Sequence, residues 1–157
     1  MADLFEPLET PRLHLEPITP QVARQVAAGD LSGLEPGEGW PHEHTKDGVR
    51  LAIEHGQPPG WFVTHNGRII GDCGTHGPAD HNGCVEIGYG LAGPYRGQGF
   101  GTEAVVVISD WLLAQPEVRT LRARTLAANA ASRRVLEKAR FQMVGMQDGE
   151  AVYERAF

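Results

Sequence analysis

Two cysteines in 157 residues are too few for a disulfide framework, and they fit a chain kept in a reducing compartment. Positive charge is scarce as well: 14 Lys and Arg against 20 Asp and Glu leave a formal net charge of -6. Binding a phosphate backbone needs a basic surface, so nucleic acid is not an expected partner. No apolar run approaches the roughly 18 residues of a membrane span. The opening MADLFEPLE also lacks a basic-then-apolar signal layout, so the expectation is a cytoplasmic protein with no membrane partner. Internal repeats, low-complexity tracts and a G-x-x-x-x-G-K-[ST] phosphate loop are all missing.

What remains is an ordinary globular composition, 41% hydrophobic and 22% charged. At this length one domain over residues 1–157 is expected, burying roughly two-thirds of its unfolded surface. TPRLHLEPI alternates Leu13 and Leu15 with polar neighbours and reads as a strand. Thr19-Pro20 then supplies an N-cap and a first-turn proline, and Gly29 closes that helix. A Gly/Pro-rich loop carrying Trp40, His42 and His44 leads to a second helix, about Thr45 to His55, which stops at Gly56-Gln57-Pro58-Pro59. WFVTHNGRIIG is two apolar runs joined by Asn66-Gly67, the pair a type I′ hairpin prefers. A looser turn, THGPADHNG, leads to the strand CVEIGYGL. After a glycine-rich loop come an apolar helix (Thr102 to about Ala114), the strand VRTLRARTL, the short helix NAASRRVLEKA, and a closing pair of strands, FQMVGM and AVYERAF. The order predicts an α/β (α+β-type) layered domain around one mixed sheet.

Glu86 to Val105, EIGYGLAGPYRGQGFGTEAV, holds two overlapping glycine patterns. Gly88, Gly90 and Gly93 spell G-x-G-x-x-G; Arg96, Gly99 and Gly101 spell R-x-x-G-x-G. A dinucleotide turn needs strand, glycine turn and helix in immediate succession, with an acidic residue at the end of a second strand. Here Pro94 follows Gly93, the helix is expected only from Thr102, and Asp110 falls inside that helix. The first pattern therefore fails on context. In the second, Gly97, Gly99 and Gly101 run into a helix N-terminus, where bare backbone N–H groups and the positive dipole end can meet an anion. With Arg96 adding charge, this reads as a backbone cradle for a pyrophosphate.

These residues resemble the GNAT superfamily of acyl-CoA-dependent N-acetyltransferases, and most of all its RimJ/RimL-like branch of ribosomal-protein-alanine acetyltransferases. The resemblance spans nearly the whole chain: T-P-R-L-H-L, E-I-G-Y, P-Y-R-G-Q-G-F-G-T-E-A and N-A-A-S-R-R-V-L-E-K-A-R-F. It implies a mixed, mostly antiparallel central sheet flanked by helices, with acetyl-CoA as acetyl donor and no metal. It also implies that the Glu86–Leu91 strand splays from VRTLRARTL, so that the pantetheine arm pairs with exposed backbone. Gly88 and Gly90 would then mark a bulge and a close backbone approach. The implied cofactor-binding set is Tyr89, Gly90, Leu91, Arg96, Gly97, Gln98, Gly99, Phe100, Gly101, Thr102, Asn129 and Ser132.

Acetyl transfer needs an amine freed of a proton, a polarised thioester and a departing thiolate. Glu86, on the strand face shared with Cys84, Gly88 and Gly90, is the candidate base, acting directly or through a water; its bland alternative is a solvated strand glutamate. Asn129 and Ser132 have capping as their bland alternative, while the resemblance gives Asn129 a pantetheine contact. The resemblance also implies a tyrosine acid where Leu136 stands, leaving Ser132 to orient or protonate the sulfur, or the thiolate to depart unaided. Arg140 stands where relatives have a helix-ending glycine, so that helix is expected to end differently. Cys73, His76, His81 and Cys84 spell a zinc-like C-x2-H…H-x2-C across a turn, against which ordinary loop histidines and buried thiols weigh more heavily. The expected reaction is acetyl transfer to a primary amine, either a protein N-terminus or a small molecule, by a monomer or homodimer. The alternatives are a non-catalytic acyl-CoA sensor and a zinc-stapled interaction domain.

Overall fold

The computed structural model describes residues 5–54, 56 and 58–156; the opening MADL, His55, Gln57 and Phe157 of the elements expected above lie outside these. Eight strands form one sheet in the order β1-β2-β3-β4-β5-β6-β8-β7. They are β1 (Leu8–Glu9), β2 (His14–Pro17), β3 (Trp61–His65), β4 (Arg68–Thr75), β5 (Cys84–Leu91), β6 (Thr120–Leu126), β7 (Gln142–Gln147) and β8 (Glu150–Ala156). Every neighbouring pair is antiparallel except β5 and β6. Four helices flank the sheet: α1 (Pro20–Ala27), α2 (Thr45–Glu54), α3 (Phe100–Leu113) and α4 (Ala130–Lys138). This is the mixed, mostly antiparallel sheet flanked by helices that the sequence predicts.

Alternation along the strands decides what covers each face. Trp61, Val63, Val85, Ile87 and Leu121 point one way and form the main core with Val105, Ile108 and Leu112 of α3 and Leu136 of α4. Phe62 and Ile69 belong to a second cluster with Ala23 and Val26 of α1, Val49 of α2 and Trp40 of the intervening loop. That second cover lies over β3 and β4, whereas the same face farther along the sheet carries Glu86, Arg122 and Arg124. Because burying a Val, Leu or Ile side chain is worth about 1.5–3 kcal/mol, the apolar strand residues fix the layers and leave the polar half of that face to the solvent.

Local signals behave as their chemistry requires. The Thr19 side chain accepts the Val22 N–H at 3.2 Å and so caps α1. Asn66 and Gly67 take φ of 52° and 77°, the left-handed pair of a type I′ turn. Two expectations are corrected. The helix expected from Thr102 begins at Phe100, because Gly99 in the left-handed region (φ 85°) turns the chain into it directly. And α4 ends with Arg140 itself left-handed, at φ 75°. The Arg140 N–H donates to the Glu137 carbonyl (3.1 Å) and the Phe141 N–H to that of Leu136 (2.9 Å), a Schellman pair. Phe141 and Leu136 are both buried, and their contact holds the arginine in a conformation it would not choose.

That strain is removable. Left-handed backbone costs an L-residue roughly 1–2 kcal/mol, of which glycine gives back roughly 0.5–1 as freedom in the unfolded chain. Arg140→Gly is expected to stabilise the fold by about 0.5–1 kcal/mol, raising Tm by about 1–4 °C in calorimetry. A lower Tm would show that the arginine side chain contributes more than its backbone conformation costs.

Candidate active site

β5 is paired along its two edges over different lengths. Against β4 it runs from Ile87 with Thr75 to Leu91 with Gly71, without a register shift. Against β6 only Cys84, Val85 and Glu86 pair, with Thr120, Leu121 and Arg122; beyond that β6 pairs with β8 alone, as far as Leu126. The two strands therefore part after Glu86, and residues 87–91 keep one backbone edge with no strand partner. The expected splay is present. The expected bulge at Gly88 and Gly90 is not: the ladder is regular there, because side chains rather than a kinked backbone use the room these glycines leave.

Both glycines lie beneath imidazoles. A Cβ at Gly88 would stand 2.5 Å from Nε2 of His76, and one at Gly90 would stand 2.8 Å from Cε1 of His42. His76 is tethered twice to Glu86. Its backbone N–H donates to the Glu86 carbonyl at 2.8 Å, and its Nδ1 lies 2.9 Å from Glu86 Oε2. Glu86 Oε1 accepts from Arg124 Nε at 3.0 Å, and Arg124 Nη1 continues to Gln147 at 2.9 Å. The His76 hydrogen bond, opposed by burial and assisted by Arg124, holds the Glu86 carboxyl below its ordinary range. Beside it, Arg122 Nη2 meets Glu154 at 2.6 Å. The His42 side chain is almost wholly buried, and its Nε2 lies 3.2 Å from Asp72 Oδ2 without the alignment of a hydrogen bond. Asp72 accepts from Trp40 Nε1 (2.9 Å) and Thr45 Oγ1 (2.7 Å), which docks the Trp40–Thr45 segment onto the sheet. His44 is exposed.

On the other face, Tyr89 crosses the opening. Its hydroxyl lies 2.8 Å from Ser132 Oγ and donates to the Ser132 carbonyl at 3.2 Å, linking β5 to α4. Burial raises the Tyr89 pKa, which the Ser132 bond partly offsets. Asn129 caps α4, its Oδ1 accepting the Ser132 N–H at 3.1 Å. Leu136, where the resemblance implies a tyrosine, is fully buried. A hydroxyl pair, Tyr89 with Ser132, thus spans from β5 to α4.

At the end of β5 a 3-10 turn (Gly93–Tyr95) leads into the glycine loop. Gly97 and Gly99 have φ of 76° and 85°, and Gly99 caps α3 with no side chain to accept its first-turn N–H groups. A Cβ at Gly97 would meet nothing within 4 Å, so the loop faces open space. A helix N-terminus left bare in this way fits a diphosphate. Arg96 Nε donates to the Leu91 carbonyl at 3.0 Å and Gln98 Nε2 to that of Pro94, so both side chains brace the turn. Phe100 sends its ring into the core beneath the Arg12 guanidinium (4.4 Å), leaving only its backbone to the loop. Gly101 and Thr102 continue the first turn of α3, whose Glu103 is bound by Arg12 and Thr10 and is not a free negative charge.

A family model for the acetyltransferase (GNAT) domain matches residues 12–142. The chain belongs to the GNAT acetyltransferase family. It is an acyl-CoA-dependent acetyltransferase with acetyl-CoA as its acetyl donor. It is 27% identical to an uncharacterised N-acetyltransferase of Bacillus subtilis, YjdG, over 85% of this chain and 88% of that one. Among solved structures, it shares its fold with the ribosomal L7/L12 alpha-N-protein acetyltransferase RimL in complex with coenzyme A. That match has a TM-score of 0.69 and 17% identity, and covers 97% of this chain and 98% of that one. The microcin C7 self-immunity acetyltransferase MccE, solved with acetyl-CoA and AMP, matches with a TM-score of 0.66 and 14% identity over 94% of both chains. Among the described residues no helix is long and apolar enough to cross a membrane, and no group of three or more His, Cys, Asp or Glu is placed to hold a metal. Cys73 is buried, which pushes its thiol pKa far up and leaves it a small core residue.

Sequence reasoning missed the two contacts that organise this acetyltransferase's site, His76 with Glu86 and Tyr89 with Ser132. A signal existed for the second: alternation puts Tyr89 on the core face, and a tyrosine there needs a hydroxyl partner. If that partner is Ser132, Tyr89→Phe and Ser132→Ala should each cost about 0.5–1.5 kcal/mol in urea denaturation. The double variant should cost less than their sum, because one bond is lost twice over. Fully additive losses would show that the two hydroxyls do not interact.

Proposed function

We propose that this acetyltransferase acylates a primary amine, a protein N-terminus or a small molecule, and belongs to the RimJ/RimL-like branch. The observation that carries the reading is the opening of β5 from β6, with a carboxylate–imidazole pair at its edge and a bare helix N-terminus at its end. The likeness to RimL over nearly the full length supports the branch. The likeness to MccE warns that one fold serves different acceptors.

Acetyl-CoA supplies, when bound, an activated acyl carbon on a thiol leaving group. The chain's own residues do the rest. Backbone N–H groups from Gly97 to Thr102 receive the diphosphate, the free edge of Tyr89, Gly90 and Leu91 receives the pantetheine amides, and Asn129 with Ser132 borders the arm at the start of α4. The amine arrives from the face bearing Glu86, where its proton must be removed. On the opposite face the Tyr89–Ser132 hydroxyl pair stands ready to return a proton to sulfur. Tyr89 thereby takes the part of the tyrosine that Leu136 replaces.

Two measurements test this. Acetyl-CoA at about 100 times its Kd should stabilise the chain by about 2.7 kcal/mol, a Tm rise of about 5–10 °C, while NAD gives none. Gly99→Val should lose that rise, since a β-branched side chain resists the left-handed φ and its Cβ would stand 3.1 Å from Nη2 of Arg12, whose Nη1 braces the loop at the Gln98 carbonyl. A panel of amines assayed by free-thiol release should then yield turnover with at least one. Binding of acetyl-CoA with no thiol release across the panel would make the protein an acyl-CoA sensor instead.

A further inference from the structure

Glu86 is poorly suited to take a proton itself. Both of its oxygens are engaged, Oε2 by His76 Nδ1 and Oε1 by Arg124 Nε. A carboxyl held below its ordinary range is a weaker base than a free one. An imidazole stands in front of it. With Nδ1 turned to the carboxylate, the neutral ring of His76 carries its proton there and offers the lone pair of Nε2 outward. That nitrogen lies over Gly88, two residues past the last β5–β6 pair, where the opening has begun. Its side chain is 55% exposed, so an acceptor and water can both reach it.

An exposed His–Glu contact is by itself a common surface ion pair of small worth. Three independent features separate this one from that background. His76 is fixed by a backbone bond as well as a side-chain bond to the same residue, which sets where the ring lies. The strand beneath carries a glycine at the one position where any Cβ would collide with Nε2. And Nε2, the ring nitrogen with no hydrogen-bond partner among the described residues, is the one over the opening. Around it, the titratable and charged groups on this face are Cys84 and Glu86 on β5, Asp72 on β4 with His42 above Gly90, Arg122 and Arg124 on β6, and Glu154 on β8; the two arginines are engaged with Glu154 and Glu86.

We propose that His76 is the general base of the acetyl transfer and that Glu86 is its positioning residue. This rests on the amine reading above. The proton passes from the acceptor ammonium to Nε2, and the freed nitrogen lone pair forms the C–N bond while the C–S bond breaks. The nitrogen's second proton passes to water as the amide forms, and the departing thiolate takes a proton from the Tyr89–Ser132 pair, which water replenishes. The imidazolium, stabilised by the Glu86 carboxylate at Nδ1, releases its proton to solvent. The arrangement follows the logic of an acid–imidazole pair in which the carboxylate fixes the tautomer and remains ionised.

The full chain serves for the test, with acetyl-CoA and an amine that the wild type turns over. His76→Gln should lower kcat at least about a hundredfold and leave the acetyl-CoA thermal shift intact. It should also remove an acid limb that the wild type shows in kcat/KM against pH. Glu86→Gln should cost less than His76→Gln, and the double variant no more than His76→Gln alone. Gly88→Ala, which pushes the ring aside, should lower kcat without changing acetyl-CoA affinity. Wild-type turnover and an unchanged acid limb in His76→Gln would overturn the proposal, as would Glu86→Gln being the more damaging change, which would make the carboxylate the base. No thiol release by the wild type with any amine would sink the acceptor reading instead. A nitrogen-15 spectrum of the wild-type imidazoles checks the geometry without turnover: His76 should be protonated on Nδ1 when neutral, and an Nε2-protonated ring would overturn the proposal.

Discussion

The parallel pairing of Cys84–Glu86 with Thr120–Arg122 joins the two halves of the sheet, and everything functional depends on where it stops. β6 is held along its whole length by β8, and the second half of β5 is held by β4. Thr120–Arg122 carry a strand on both edges, whereas past Glu86 each of the two strands keeps only its outer ladder. The opening is the stretch where the inner edges of β5 and β6 are both left without a strand. Buried backbone N–H and C=O groups must find partners, so a strand edge left free in the middle of a sheet is a site waiting for an extended ligand.

The glycines follow from that constraint in a way composition does not reveal. Gly88 and Gly90 admit imidazoles on one face, Gly97 and Gly99 hold the left-handed turns that deliver α3, and each set serves a different group. A single crowded stretch thus serves three geometries: clearance above a strand, a tight turn, and a helix end without a side-chain cap. The G-x-G-x-x-G spelling arises from the overlap of the first two and has no common purpose. On the far face, Tyr89 uses the same strand to reach Ser132, so β5 presents an imidazole on one side and a phenol on the other.

Most of the fold was legible because its signals are local. Thr19-Pro20, Asn66-Gly67 and the alternation of CVEIGYGL each state their own geometry, and the order of elements followed. The short β1 was not legible, since two residues have no periodicity and become a strand only by pairing with β2. The left-handed Arg140 was misread because its backbone preference is outweighed by the burial of Phe141, a tertiary effect one residue away. Within the site, Glu86 and Ser132 stood out by position, but their partners did not. His76 lies ten residues before Glu86 across a loop, and Tyr89 is 43 residues from Ser132, separations at which sequence patterns carry no contact information. Against the C-x2-H…H-x2-C spelling, His76 was read as an ordinary loop histidine, a reading that carries no contact with Glu86.

The charges on the acceptor face bear on what can dock there. The chain carries a net charge of -6, which at first sight suits a cationic acceptor through long-range attraction. Close to the opening the balance is different. Glu86 is shared by His76 and Arg124, Glu154 by Arg122, and Asp72 by Trp40, Thr45 and the nearby His42. Each carboxylate is matched to a donor, as carboxylates withdrawn from water must be. An incoming ammonium therefore finds little bare negative charge at the point of reaction. It approaches in the field of the whole molecule, to a point bordered by His76 over Gly88 and His42 over Gly90, and under the proposal above its proton leaves toward Nε2 of His76.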